Sequence, residues 1–367
     1  MRFSARSRTS IQYLIVFFCL LTVSASVAKA AVAACVTTTT PTVWQCWEHT
    51  LTSTKTPPFY SNAYRDVKLQ VTFTHALPGS ASETFTTLAF WDGDNNFKFR
   101  TAFPSTSTIA MPWHWTTSCL AGCSGDTSLT SPSGDVVVGS YSGSNRLYKG
   151  GFLRVGMNQR YLSLVNGLAS TALPTPFFWV GDTAWNASVR AVTQLPGQSS
   201  KQEWETYVDS RRDKGFNVIQ MALPVDYMSV GALANDGQPK DVQGVTPFTA
   251  SSGVIPNNGS QWNPTYWKAF EQRIEYANEQ GIAVLLVGLM ERLIESNANY
   301  PAIADQRTYA RNVVARLAGN FVIFSPGFDR DPNDWESPSC TTTGCRKLSD
   351  RIRESSPRSV RRAAGTW

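Results

Sequence analysis

The sequence predicts a β-sandwich domain followed by an α/β domain, the latter an incomplete (β/α)8 TIM-like barrel with about four βα units. Three observations predict it. Residues 43–145 carry short β-branched and aromatic runs at a period of two, punctuated by Gly, Pro, Asn and Ser. From residue 152 apolar runs alternate with segments of helical period. Those later apolar runs are continuous, as parallel strands buried on both faces require. An open doubly wound sheet is the alternative arrangement, disfavoured because no Gly-rich phosphate loop follows any of these strands.

The 367 residues suffice for two domains. Residues 1–30 hold four basic residues (Arg2, Arg6, Arg8, Lys29), no acid, an apolar run from Tyr13 to Leu21, and small residues ending Ala28-Lys29-Ala30. That order is the layout of a secretory signal peptide cleaved after Ala30. The run is shorter than the ~20 apolar residues a membrane span needs. The expected protein is exported, secreted or periplasmic, and has no membrane contact after signal cleavage.

Residues 31–150 form the first folded domain. Val67–Phe73 and Phe97–Phe103 alternate as half-buried strands do, and no helical period appears among them. Strands at this spacing argue for an antiparallel sandwich. Pro112-Trp113-His114-Trp115 crowds aromatics beside a cysteine pair, either as core or as a platform for stacking a sugar ring.

Residues 151–356 form the second domain. Phe177–Val180, running into Gly181-Asp182, is its first strand, and Lys201–Lys214 its first helix, with Trp204, Tyr207 and Val208 on one side. Phe216–Leu223 is the second strand, apolar except at Asn217 and Gln220. Trp262–Gln280 is a helix with Trp267, Phe270, Ile274 and Ala277 at spacings of three and four, and Gly281 ends it. Ile282–Val287 is the third strand, Pro301–Ala318 the third helix and Asn320–Phe324 the fourth strand. Arg346–Glu354 suits a fourth helix, and residues 357–367 read as an aberrant or disordered tail. A closed barrel takes about 250 residues, so truncation after strand four is expected.

The net charge of +6 belongs to the ends. Residues 346–367 hold seven bases against two acids, so of 33 basic and 27 acidic residues, 22 and 25 lie in residues 31–345. That is no nucleic-acid footprint. Losing Cys19 with the leader leaves six cysteines in close pairs, Cys35/Cys46, Cys119/Cys123 and Cys340/Cys345. An even number in an exported chain, with short loops cheapest to close, predicts three local disulfides. His49, His75 and His114 lack ligand spacing, so no metal and no cofactor is expected.

Parallel β/α folds place ligands at the carboxyl ends of their strands. The candidates there are Asp182 and Trp185 after strand one, Pro224, Asp226 and Tyr227 after strand two, Glu291 and Arg292 after strand three, and Gly327, Phe328, Asp329 and Arg330 after strand four; Gln220 is the polar residue within strand two. Carboxylates and aromatics with no histidine, nucleophile motif or metal spacing suit glycosidic bond cleavage, which uses one carboxyl as acid and another as nucleophile or base. The competing structural roles are a helix cap for Asp182 and ion pairs with Arg292 and Arg330 for Glu291 and Asp329.

The stretch Pro176-Phe177-Phe178-Trp179-Val180-Gly181-Asp182-Thr183-Ala184-Trp185 resembles the strand-one signature of the apiosidase-like glycoside hydrolase family, and Gly215–Gln220 is similar to its second strand. The resemblance, over about residues 43–356, implies an N-terminal immunoglobulin-like sandwich and a catalytic TIM barrel. It also implies that Asp329, in Pro326-Gly327-Phe328-Asp329 where the family reads roughly Gly-Gly-Asp, is the catalytic acid/base. Its partner would be a Glu after a seventh strand, which this chain does not reach. Asp182, Trp185, Glu291 and Gln220 would bind substrate. The expected function is an exported glycoside hydrolase-like protein acting on a plant-type polysaccharide or oligosaccharide, inactive alone if the second carboxylate is missing. A non-catalytic carbohydrate-binding or adhesion protein is the alternative, and a fragment whose half-barrel never closes is the third reading.

Overall fold

The computed structural model describes residues 35–55, 60, 62–156, 160–167, 175–191, 200–224, 240–249, 261–288 and 303–325. The leader, Cys340/Cys345, the expected 346–354 helix and the 357–367 tail lie outside them. The first strands are β1 (Cys46–Thr52), β2 (Lys68–His75), β3 (Glu83–Leu88), β4 (Phe90–Trp91), β5 (Asn96–Ala102), β6 (Trp113–Ala121) and β7 (Ser133–Val136). They form two antiparallel sheets, ordered β3-β2-β6-β7 and β1-β5-β4. Alternation sets what each face does. Leu69, Val71 and Phe73 of β2, Phe97 and Phe99 of β5, and Trp113 and Trp115 of β6 turn into one shared aromatic core. Both expected strands are therefore present, shifted by one or two residues. Trp113 and Trp115 are 0% and 4% exposed, so the indoles are core and not a sugar platform. Two helical turns that the sequence pattern missed, Ala63–Asp66 and Thr127–Thr130, are too short to show a period. The second is capped by Asp126, whose side chain accepts the Ser128 N–H.

Next, the Arg146–Gly150 helix leads into a small antiparallel sheet of β8 (Phe152–Val155), β9 (Leu162–Val165) and β10 (Thr175–Phe177). This sheet corrects the expectation that Phe177–Val180 opens the parallel sheet. Phe177 pairs with Leu162 of β9. The chain then crosses over at Asn217, whose amide donates to the Phe178 carbonyl (2.6 Å) and accepts the Val180 N–H (2.8 Å). The parallel strand begins only at β11 (Gly181–Thr183).

The α/β part has β11, β12 (Val218–Ala222), β15 (Ala283–Val287) and β16 (Val322–Phe324) in that order, all parallel. The short hairpin of β13 (Phe248–Thr249) and β14 (Gln261–Trp262) lies between β12 and β15 in sequence. Helices Glu203–Asp213, Pro264–Glu279 and Ile303–Leu317 match the three expected ones to within a few residues. The 264–279 helix starts where Asn263 accepts the Thr265 N–H with Pro264 at its first turn, and Gly281 follows at φ +76°. Its Phe270, Ile274 and Ala277 pack with Trp204, Val208, Ile219, Val284 and Val313 in the second core.

A buried charge network joins the two cores. On β1 and β5 the residues alternating with the aromatics are Glu48, Lys98 and Arg100, and they face the helices. Arg100 donates to Glu48 (2.7 Å), to Glu271 (2.8 Å) and to the Arg316 carbonyl (2.5 Å). Arg316 in turn holds Glu271, Asp92 (2.6 Å) and the Trp91 carbonyl (3.0 Å). Two disulfides, Cys35–Cys46 and Cys119–Cys123, are formed as expected.

Candidate active site

Each parallel strand has an amino and a carboxyl end, and the N-terminal part of the chain engages the amino end. Arg146 donates to the carbonyls of Phe216 (2.5 Å) and Gly281 (2.7 Å), immediately before β12 and β15. Asn145 donates to the Asn278 and Glu279 carbonyls, satisfying orphan acceptors at the helix end. A Cβ on Gly319, between the 303–317 helix and β16, would lie 2.7 Å from the Thr101 carbonyl. The carboxyl ends, at Thr183, Ala222, Val287 and Phe324, form the opposite rim. There the ladder continues past the strands: Ala184 N–H donates to Gln220 O (2.8 Å), Ala222 N–H to Trp185 O (3.1 Å) and Ser325 N–H to Leu286 O (2.8 Å).

Register separates the candidate residues by face. Thr183, Gln220, Leu285 and Ile323 are aligned across the sheet, and none of the four is buried. Lower on the same face Val218 packs on Leu164 and Phe177, so the β8-β9-β10 sheet covers the amino end. Gln220 stands two residues further along that face, half-buried beside Leu285, which packs on the same cluster. Trp185 is half-buried, fixed through its carbonyl at the end of β12.

Asp182 lies in the other row, aligned with Ile219 and pointing to the 203–213 helix. Its Oδ2 accepts from the Tyr207 hydroxyl (3.0 Å) and from Arg211 Nε, and its Oδ1 from the Thr183 N–H (2.8 Å). Partial burial works against its charge, but the Arg211, Thr183 and Tyr207 bonds outweigh it and hold the carboxyl below its usual range. Burial and Asp182 together push the Tyr207 hydroxyl up to about 12. Arg211 also lies 4.5 Å over the Tyr207 ring. Asp182 does not cap the short Ala187–Arg190 helix, whose N-cap is Asn186. Tyr207 and Arg211 were absent from the sequence-based site; their i, i+4 spacing on the helix after the strand was the available signal.

Asp329 and Glu291, with Asp226, Tyr227, Arg292, Gly327, Phe328 and Arg330, lie outside the described residues. Among the described residues no three His, Cys, Asp or Glu side chains come together as a metal site, and no helix is long and apolar enough to cross a membrane.

Comparison with known proteins bears on the same segment. A candidate glycoside hydrolase from Bacteroides vulgatus ATCC 8482 superposes with a TM-score of 0.56 at 18% identity, over 87% of this chain and 54% of that one. The chain therefore spans about half of that protein, and the similarity shows a shared fold. A family 5 glycoside hydrolase from the same organism aligns over 56% of this chain and 37% of its own, at 21% identity and a TM-score of 0.37, too low to add to the argument. No curated protein matches. The model of the family described as "Apiosidase-like, catalytic domain" matches residues 158–363, which contain the whole parallel sheet and its rim. By that match over more than half its length, the chain belongs to the apiosidase-like catalytic domain family.

Proposed function

We propose that this chain is an exported glycoside hydrolase acting on a complex polysaccharide or an oligosaccharide derived from one. The observation that carries the reading is the family match across a parallel sheet that Arg146 engages at its amino end, opposite the strand ends. In this proposal the N-terminal sheets are an immunoglobulin-like sandwich and the α/β part is barrel-like. Asp329, after β16, protonates the leaving oxygen as general acid, while a second carboxylate acts as nucleophile or base at the sugar carbon. Gln220 and Trp185 contact the sugar. Glu291 completes the rim after β15.

Asp182 shapes the same rim indirectly. Its bond to Arg211 ties the 203–213 helix to β11, and so fixes the turn that carries Trp185 against β12. A carboxylate held charged by a guanidinium is a poor proton donor, so general acid duty falls to another residue. Glycan recognition by Trp113 and Trp115 alone, the non-catalytic alternative, loses support because both indoles are buried.

The test is hydrolysis of a panel of oligosaccharides with terminal pentofuranose or hexopyranose units, comparing the wild type with Asp329→Asn. The wild type is expected to release a monosaccharide and the variant to lose about 10²–10⁴-fold in rate. Equal rates, or no hydrolysis by the wild type even when extended through a strand-seven glutamate, would overturn the assignment.

A further inference from the structure

Away from the rim, a cleft of about 380 Å3 opens between the N-terminal sheets and the β8-β9 hairpin, walled by Ser105, Tyr141, Tyr148, Lys149 and Asn166 among others. Its size falls within the range of small-molecule sites, about 300–1,000 Å3. Nothing in the strand-end chemistry uses it.

The walls are held from several directions. Trp44, buried and in the left-handed region at φ +62°, donates its indole N–H to Asn166 Oδ1 (2.6 Å). A bulky residue there is strained, and such strain persists only where surrounding contacts fix it. Asn166 also donates to the Lys149 carbonyl (3.4 Å). The Tyr141 and Tyr148 rings meet edge to face at 5.2 Å, and the Tyr141 hydroxyl oxygen accepts the Asn145 N–H (3.1 Å). Ser105 is fixed by donating to Glu83 (2.6 Å) and by accepting the Trp113 indole N–H at its carbonyl (3.1 Å).

What remains uncommitted defines the ligand. The Tyr141 hydroxyl hydrogen has no acceptor among the described residues, and the exposed Lys149 ammonium has no ion-pair partner among them. Thr106 and Ser140 add hydroxyls, and no Asp or Glu lines the cleft. Aromatic ring faces suit the apolar C–H face of a sugar ring. Glu83 lies behind Ser105, and Glu279 and Glu275 act on Tyr148, but none of them lines the cleft, and the one cation that does, Lys149, suits one carboxylate.

We propose that this cleft binds the end of an acidic oligosaccharide, a sugar ring bearing a carboxylate, with Tyr141 and Tyr148 against the ring and Lys149 on the carboxylate. It is an accessory glycan site at the amino-end side of the sheet. It rests on the reading of the chain as a glycan-active protein, but on none of the rim residues.

The test is calorimetric titration of the full chain with a glucuronic acid-terminated trisaccharide and with its methyl ester, which keeps the ring and removes the charge. The acid is expected to bind roughly tenfold more tightly than the ester, the worth of one charge-assisted hydrogen bond. Lys149→Met, an exposed substitution, is expected to erase that preference, and Tyr148→Leu to weaken both ligands. Equal binding of acid and ester, an acid preference that survives Lys149→Met, or no binding of either would each overturn the proposal. None of these results touches the hydrolysis assay on Asp329→Asn, so the two readings fail separately.

Discussion

Glu275 offers a prediction whose size follows from its surroundings. It sits on the 264–279 helix at 4% exposure, with Oε1 3.6 Å from Cys35 Sγ and Oε2 without a hydrogen-bond partner. Cys35 is in a disulfide and has no S–H to donate. Burial raises the carboxyl to about 7; Arg100 on β5 opposes the rise, and Glu271, Glu48 and Glu279 add to it. An acid with a raised folded-state pKa binds more protons in the native chain than in the unfolded one. The native state therefore loses stability as pH climbs from the unfolded value of 4.5 to about 7, and the loss is complete above that. At about 1.4 kcal/mol per pH unit, the cost of ionising Glu275 reaches roughly 3 kcal/mol at pH 8. Glu275→Gln removes the titrating group while keeping its shape. In urea unfolding with disulfides intact, the variant should gain on the wild type by about 3 kcal/mol between pH 4.5 and 8, with little change in m-value. A difference between the two proteins that stays constant within about 0.5 kcal/mol across that range would refute the reasoning.

Three further predictions concern the same framework. Arg316→Met leaves Glu271 to Arg100 alone and Asp92 to Lys98 and Lys268, and should cost about 3 kcal/mol of unfolding free energy, part of it recovered in the double variant with Glu271→Gln; a cost under 1 kcal/mol contradicts the network. Gly122→Ala places a Cβ 2.2 Å from the Asp66 carbonyl at φ +72°, so its melting temperature should fall by several degrees, whereas Gly79→Ala, with open space around it, meets only the backbone penalty and should fall less. Asp182→Asn breaks a partly exposed pair and should cost about 1 kcal/mol or less in stability. It should still lower kcat/KM on any hydrolysed glycan by loosening the Trp185 turn; unchanged kinetics would remove the positioning role.

Much of this architecture was legible from residue order because it depends on local pattern. The period of two in β2 and β5, the three-four spacing of Trp267, Phe270 and Ile274, and the unbroken run in β15 each report a face that must be buried. Phe177 was misplaced for the same reason. An apolar run marks a strand without naming its sheet, and the switch from β10 to β11 is made by Asn217, a residue forty positions downstream. Strand ends were legible as places for a site, but Asp329 and Glu291 lie outside the described residues, and Gln220 is half-buried in the row of Thr183 and Leu285. That Asp182 turns the other way follows from its register with Ile219, which residue order alone does not give. Arg211 was marked only by its i, i+4 spacing from Tyr207, and an arginine beside Arg212 on a helix has many solvated fates. The Glu48, Arg100, Glu271 and Arg316 network escaped for a different reason: its members come from four separate segments, and only the packed molecule brings them together.

Arg146 and Asn145 grip the sheet from underneath, through main-chain carbonyls and not through side chains. Backbone acceptors are indifferent to which residue bears them, so this attachment survives substitution at Phe216 or Glu279 as long as the chain path is kept. Attachment and catalysis are thereby uncoupled: the segments at the far lip are free to lengthen or exchange residues, and preference for a new glycan can evolve there without renegotiating how the two halves of the molecule hold together.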